Sequence, residues 1–205
     1  MIPNKLKYGD EIRVIAPSSS LSRVRKDVYD KALAYLESQG FKITFSKNSR
    51  EMNEFKSSEI KSRVEDIHDA FRDKNVKMII TCIGGFNVNQ ILPYLDYELI
   101  KENPKILCGY SDITALLHAI YAKTGLVTYH GPHFCTFGFD KEAEYTQACF
   151  YDCVMKYTSA AITCLPSAGS RISTLNVLVL REVQTSQEIP SRYITILSTG
   201  HSTLV

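Results

Sequence analysis

Five short apolar runs, each closed by a Gly, Pro or Ser turn and separated by stretches of helical period, constrain this chain more than any other feature. The first, Glu11-Ile12-Arg13-Val14-Ile15-Ala16, breaks at Pro17-Ser18-Ser19-Ser20, as a buried strand ending in a polar turn does. Phe41, Ile43 and Phe45 alternate as a second strand. Val76 to Ile83 is nearly continuous in apolar character up to Gly84-Gly85, the pattern of a central parallel strand covered on both faces. Lys105 to Cys108 and Leu126 to Tyr129 supply the fourth and fifth strands.

Helical stripes fill the intervals. Val24, Val28, Ala32, Tyr35 and Leu36 recur at helical spacing after a cap at Ser22 and stop at Gly40, a residue suited to the left-handed position behind a helix. Ile60, Val64, Ile67 and Phe71 form one stripe behind Ser57-Ser58. A short helix over Asn87 to Leu92 stops at Pro93, and Ile113, Leu116, Leu117, Ile120 and Tyr121 line a helix closed by Gly125. Strands alternating with helices predict an α/β fold, a flavodoxin-like doubly wound parallel sheet whose ligand site lies at the carboxyl ends of its strands. Those ends carry Pro17-Ser18-Ser19, Gly84-Gly85, Gly109 to Asp112 and Gly131-Pro132.

The pattern changes beyond Lys156. Residues 157–205 contain no Lys and no Asp, and Ser plus Thr supply 15 of 49 positions against 18 of the preceding 156, which marks a different kind of segment. The expected organisation is an α/β domain over 1–140, a helical linker over 141–160 and an incomplete, β-rich C-terminal domain over 161–205. Ile172 to Leu180 and Tyr193 to Leu197 are its strand-like runs.

Charge and cysteine usage exclude several partners. A net charge of +2 without a basic block argues against nucleic acid and against an anionic membrane surface, both of which need clustered Lys and Arg. No apolar stretch reaches the roughly 18–20 residues of a membrane span, and the N-terminus lacks a signal-like apolar core, so a cytoplasmic protein is expected. The six cysteines form no C-x-x-C, and Cys82 and Cys108 sit inside apolar runs as small hydrophobes. Cys149 and Cys153 lie four apart with no His at ligand spacing; no metal and no cofactor is expected.

Ser111 is the most informative side chain. It follows a strand and Gly109 directly and precedes Asp112 at the first turn of an amphipathic helix, the strand-turn-helix setting of a nucleophile elbow. Such a turn lifts the hydroxyl out at the sheet edge, while the helix N-terminus offers the amide of Asp112 to a developing oxyanion. Gly84 or Gly85, lacking a Cβ, lets the neighbouring backbone supply a second donor. Two plainer readings stand beside this one: Ser111 caps its helix, and Gly84-Gly85 is a tight βα turn or a phosphate-binding loop. A serine nucleophile also needs a base. Of the five histidines, His68 and His118 read as partly buried helix residues, whereas His130 and His133 flank Gly131-Pro132 beside the expected site without a carboxylate partner in sequence.

Several separated motifs stand in order along the chain: Leu6-Lys7-Tyr8-Gly9-Asp10 with Ile15-Ala16-Pro17-Ser18, Gly84-Gly85-Phe86-Asn87 with Leu92-Pro93-Tyr94-Leu95-Asp96, Gly109-Tyr110-Ser111-Asp112-Ile113-Thr114-Ala115-Leu116, and Gly131-Pro132. Together they resemble the N-terminal half of the LD-carboxypeptidase family of serine peptidases, which includes the microcin C immunity peptidases. The resemblance covers residues 5 to 140. It implies that Ser111 is the nucleophile, with oxyanion amides at Asp112 and the Gly84-Gly85 turn. It implies metal-free hydrolysis of an amide bond through an acyl-enzyme: release of terminal D-alanine from a cytoplasmic muropeptide, or cleavage of a peptidyl or aminoacyl nucleotide in the immunity branch. It also implies a homodimer and a C-terminal domain carrying a catalytic Glu and His. Ile172-Ser173-Thr174-Leu175-Asn176 looks like a fragment of that domain and Gly200-His201-Ser202 resembles the histidine motif, with Glu182 or Glu188 as acids. The stretch between is shorter than the family pattern, so the His and Glu roles stay unassigned and impaired hydrolysis is expected. The contrasting expectation is a non-catalytic module that holds a small anion on the Gly84-Gly85 and Ser111 loops.

Overall fold

The computed structural model describes residues 1–139, 143–156 and 178–179. Five parallel strands, β1 (Glu11–Ile15), β2 (Lys42–Phe45), β3 (Val76–Thr81), β4 (Ile106–Gly109) and β5 (Tyr129–His130), lie in the order β2-β1-β3-β4-β5. This is the flavodoxin-like order of a doubly wound sheet, with its switch point between β1 and β3. A two-residue strand, β6 (Leu178–Val179), runs antiparallel on β5.

Side-chain alternation along the strands divides the core in two. Ile12, Val14, Met78, Ile80, Ile106 and Cys108 point to the face covered by α1 (Lys26–Ser38), α5 (Ala143–Tyr151) and the 3-10 helix Phe134–Gly138. Ile15, Ile79 and Leu107 point to the other, covered by α2 (Ile60–Arg72), α3 (Tyr97–Glu102) and α4 (Ile113–Thr124). Of the expected α2 and α4 stripes, Ile67, Phe71, Ile113, Leu116, Leu117 and Ile120 are fully enclosed, whereas Ile60, Val64 and Tyr121 are half-buried. Phe150, Cys153 and Val154 pack into the first core, and the Leu6 amide donates to the Val154 carbonyl at 2.9 Å. Cys82, Cys108, Cys135, Cys149 and Cys153 are buried.

Several boundaries differ from the sequence expectation. The fifth strand is Tyr129–His130 rather than Leu126 to Tyr129, because the chain pairs with β4 only at Cys108 and Gly109. Ser22 caps nothing: Ser20 accepts from the Ser22 amide and starts a 3-10 turn at Leu21–Arg23, and α1 begins only at Lys26. The segment around Pro93 is a 3-10 helix over Val88–Tyr94 that holds the proline inside it. α3 was not expected; Asp96, which accepts from the Leu99 amide, caps it within a stretch too short for a visible period. The strand-like run Tyr193 to Leu197, with Glu182, Glu188 and His201, lies outside the described residues. Among the described residues no helix is long and apolar enough to cross a membrane.

Candidate active site

The carboxyl edge of the sheet gathers the loops that follow β1, β3, β4 and β5. Ser111 stands at the end of β4 with a φ of +59°, a left-handed backbone setting that few non-glycine residues occupy and that costs on the order of 1–3 kcal/mol. Its side chain is exposed and does not cap α4; the N-cap position belongs to Asp112, which makes no side-chain cap bond. The capping alternative for Ser111 is thereby set aside. The first α4 amides to close the helical turn are those of Ile113, Thr114 and Ala115, which donate to Tyr110, Ser111 and Asp112. The amides of Ser111 and Asp112 precede them, at the positive end of the helix.

Gly84 faces Ser111 across the gap between β3 and β4. A Cβ on Gly84 would sit 3.2 Å from Ser111 Cβ, 3.3 Å from Ser111 Oγ and 3.5 Å from His133 Nε2, so only glycine leaves this space open. Gly85 plays a different part. A Cβ there would collide with the Ser18 and Ser19 side chains, so its lack of a side chain lets the β3 loop close onto the β1 loop. The Ser19 amide donates to the Gly84 carbonyl at 3.3 Å and secures that closure.

Asp112 is tied down by its carboxylate. Its Oδ2 accepts from Ser18 Oγ at 2.6 Å and from the Val88 amide at 3.0 Å, linking the start of α4 to the loops after β1 and β3. Arg63, buried on α2, passes beneath those loops. Its Nη1 donates to the Pro17 carbonyl at 3.2 Å and the Asn87 carbonyl at 3.1 Å, and its Nη2 donates to Gln90 Oε1 at 2.8 Å. Burial lowers the Arg63 pKa, while Glu59 and Asp112 oppose that shift.

Among the described residues, His133 is the one histidine that the fold brings to this gap in buried form. Its ring stacks on Tyr110, with centroids 4.1 Å apart, and its Nδ1 lies 2.7 Å from Thr81 Oγ1. Thr81 Oγ1 also lies 3.3 Å from the Cys108 carbonyl, so the Thr81 hydroxyl joins the ring to the β4 backbone. Nε2, beside Gly84, is buried without a hydrogen-bond partner among the described residues. Burial first, and His130 second, push the His133 pKa down to about 3, so the ring is neutral at pH 7. His130 sits opposite Gly109 in the β4–β5 register, whereas His68 lies away on α2 and accepts from the Asp96 amide at 2.8 Å. Sequence reasoning placed His130 and His133 at the site together but carried no signal for Arg63 or the Ser18–Asp112 bond, since their partners are far apart in the chain.

A doubly wound parallel sheet whose carboxyl-edge loops present a left-handed serine, a glycine gap and a helix N-terminus defines the class of α/β proteins that gather their ligand site at the strand ends. Comparison with known proteins narrows that class. Residues 12–131 match the LD-carboxypeptidase N-terminal domain, and the chain belongs to the LD-carboxypeptidase family. The Bacillus subtilis protein YocD is 55% identical over 153 residues, 75% of this chain and 47% of YocD. The microcin C7 self-immunity protein MccF of Escherichia coli is 39% identical over 127 residues, 62% of this chain and 37% of MccF. Among solved structures, an MccF-like protein from Bacillus anthracis superposes with a TM-score of 0.75 at 58% identity, covering 76% of this chain and 47% of that one. MccF bound to glutamyl sulfamoyl guanosine gives a TM-score of 0.75 at 33% identity, covering 80% of this chain and 50% of that one. The chain spans about half the length of the curated relatives it matches.

Proposed function

We propose that this chain is a serine-type hydrolase of the LD-carboxypeptidase kind, with Ser111 as nucleophile and the amides of Asp112 and the Gly84-Gly85 turn as the oxyanion hole. The left-handed Ser111 turn at the carboxyl edge of the sheet, facing Gly84, carries this reading. Attack by Ser111 Oγ on a carbonyl seated in the glycine gap places the developing negative charge at the N-terminus of α4, where backbone donors are prepaid in geometry and cost little to reorganise. Collapse of that adduct breaks the amide C–N bond, the amine leaving with the proton given up by the Ser111 hydroxyl; the acyl group remains on Ser111 as an ester until water hydrolyses it, releasing the acid and restoring the hydroxyl. The substrate is a small peptide in the cytoplasm, a muropeptide losing its terminal D-alanine, and the working protein is a homodimer.

The alternative substrate is an aminoacyl or peptidyl nucleotide. It is favoured by the likeness to MccF, one of whose structures holds glutamyl sulfamoyl guanosine, set against 31% identity to the murein tetrapeptide carboxypeptidase of Pseudomonas aeruginosa. Neither histidine at the site is bonded to a carboxylate among the described residues, so turnover by this chain is proposed to be slow. The experiment is D-alanine release from a murein tetrapeptide run beside hydrolysis of glutamyl sulfamoyl adenosine, for the chain and its Ser111→Ala variant. Slow release that depends on Ser111 is expected from the tetrapeptide; the same dependence on the nucleotide alone moves the reading to the immunity branch. Release that is indifferent to Ser111→Ala overturns both.

A further inference from the structure

Ser111 occupies a backbone conformation that its own residue type disfavours, so something outside the turn must hold it there. The bonds closest to it come from the next residue. Asp112 sends its carboxylate not to its own helix but across the sheet edge, where Oδ2 takes a 2.6 Å bond from Ser18 Oγ and a 3.0 Å bond from the Val88 amide. The loops that supply these donors are themselves joined. Ser18 Oγ is 3.3 Å from Asn87 Oδ1, Asn87 Nδ2 donates to Ser57 Oγ at 2.6 Å, and the buried Arg63 guanidinium ties Pro17 to Asn87.

We propose that the Asp112 carboxylate is the positioning residue of the Ser111 turn, braced by Ser18 and the Val88 amide, with the Arg63 guanidinium fastening the loops that carry those two donors. This rests on the reading of Ser111 as nucleophile and deepens it. Asp112 serves through two groups at once: its amide faces the reacting carbonyl, and its carboxylate fixes where that amide and Ser111 Oγ stand. A displacement of about 1 Å at such a position is enough to lower a rate about a hundredfold. Reach decides this role. Both donors converge on Oδ2, so the single side-chain oxygen of an Asn at the same position can take both bonds, whereas an Ala can take neither.

The test uses the full chain and four variants: Asp112→Ala, Asp112→Asn, Ser18→Ala and Ser18→Thr. Two readouts are taken well below each variant's melting temperature, namely the second-order rate of Ser111 labelling by a fluorophosphonate and hydrogen exchange at the Ile113, Thr114 and Ala115 amides. Expected are a labelling rate at least about tenfold lower in Asp112→Ala, a smaller loss in Ser18→Ala, and recovery to within about threefold in Asp112→Asn and Ser18→Thr. Exchange at the three amides rises in the two alanine variants and recovers in the conservative ones. A role confined to stability would lower the melting temperature and leave the labelling rate untouched, which would overturn the proposal. If Asp112→Ala does not fold, the Ser18 pair carries the same comparison. If the unsubstituted chain is not labelled at all, the nucleophile reading fails, and exchange alone decides the brace: unchanged protection in the alanine variants refutes it.

Discussion

Gly84 and Ser111 confront each other across the gap between β3 and β4, so closely that a methyl group on Gly84 would lie 3.3 Å from the Ser111 hydroxyl oxygen. That gap is where a substrate carbonyl must enter if Ser111 reacts. Gly84→Ala is therefore expected to cut fluorophosphonate labelling of Ser111 by about tenfold or more, while costing about 1 kcal/mol or less of stability, since the crowded neighbours can yield by tenths of an ångström. Gly85→Ala reverses the balance. Its methyl would meet Ser18, Ser19 and the Ser19 backbone, so about 1–3 kcal/mol of stability should be lost. Urea unfolding and labelling rates measured on the two variants separate a gap glycine from a packing glycine.

Ser111 should pay for its position in stability. Replacement by glycine relieves the positive φ, and Ser111→Gly is expected to raise stability by about 0.5–1 kcal/mol. Ser111→Ala keeps the strained backbone and should leave stability nearly unchanged. Both variants lose labelling. Equal stabilities for the glycine and alanine forms in denaturant titrations would show that the turn is not strained.

His133 makes stability depend on acid. Its folded pKa of about 3 lies far below the roughly 6.5 of an unfolded histidine, so the unfolded chain binds the extra proton first as pH falls. The contribution is present in full above about 6.5 and is lost progressively toward 3, with a slope approaching about 1.4 kcal/mol per pH unit for one proton. His68 and His130 are also lowered by burial and act in the same sense. In an NMR titration the His133 ring is expected to remain neutral from about pH 8 down to about pH 5, a span that straddles the ordinary value. Titration near about 6.5 would contradict the buried, neutral ring.

The opposite end of the sheet provides a control. Glu11 is buried there and accepts from Arg13 Nη2 at 2.7 Å, Thr44 Oγ1 at 2.7 Å and Lys42 Nζ at 2.9 Å. Burial alone would raise its pKa, but the bonds from Lys42, Thr44 and Arg13 outweigh that and hold it at about 2. Glu11→Gln should cost about 1.5–3 kcal/mol. The loss appears in full at neutral pH and shrinks as pH falls from about 4.5, where Glu11 of the unfolded chain takes up a proton, toward about 2, where that of the folded chain does. Labelling of Ser111 should not change, because Glu11 lies at the amino end of β1. A Glu11→Gln variant with normal stability and impaired labelling would break this separation of scaffold from site.

Local chemistry made most of the fold legible. The Val76 to Ile83 run and the Ile60-Val64-Ile67-Phe71 stripe were readable because strand and helix periods are imposed by neighbours within a few residues. α3 was invisible because six residues carry little period, and the fifth strand slipped because its pairing partner, β4, is set by tertiary register rather than by its own composition. That Ser111, Asp112, Gly84 and Gly85 lie at one edge was readable because they sit in the loops that follow β3 and β4 of the same parallel sheet, and such strand ends converge by topology. His133 was placed near the site, but its partner Thr81 lies 52 positions away, and Arg63 reaches Asn87 from a different helix. Contacts of that kind follow from how elements pack and leave no local trace in the chain.

Mass-spectrometric mapping of a fluorophosphonate adduct on the intact chain tests the central claim most directly. One adduct per chain, on the peptide containing Ser111 and absent from Ser111→Ala, is the expected result. No adduct, or an adduct that survives Ser111→Ala, would contradict the assignment of Ser111 as the nucleophile.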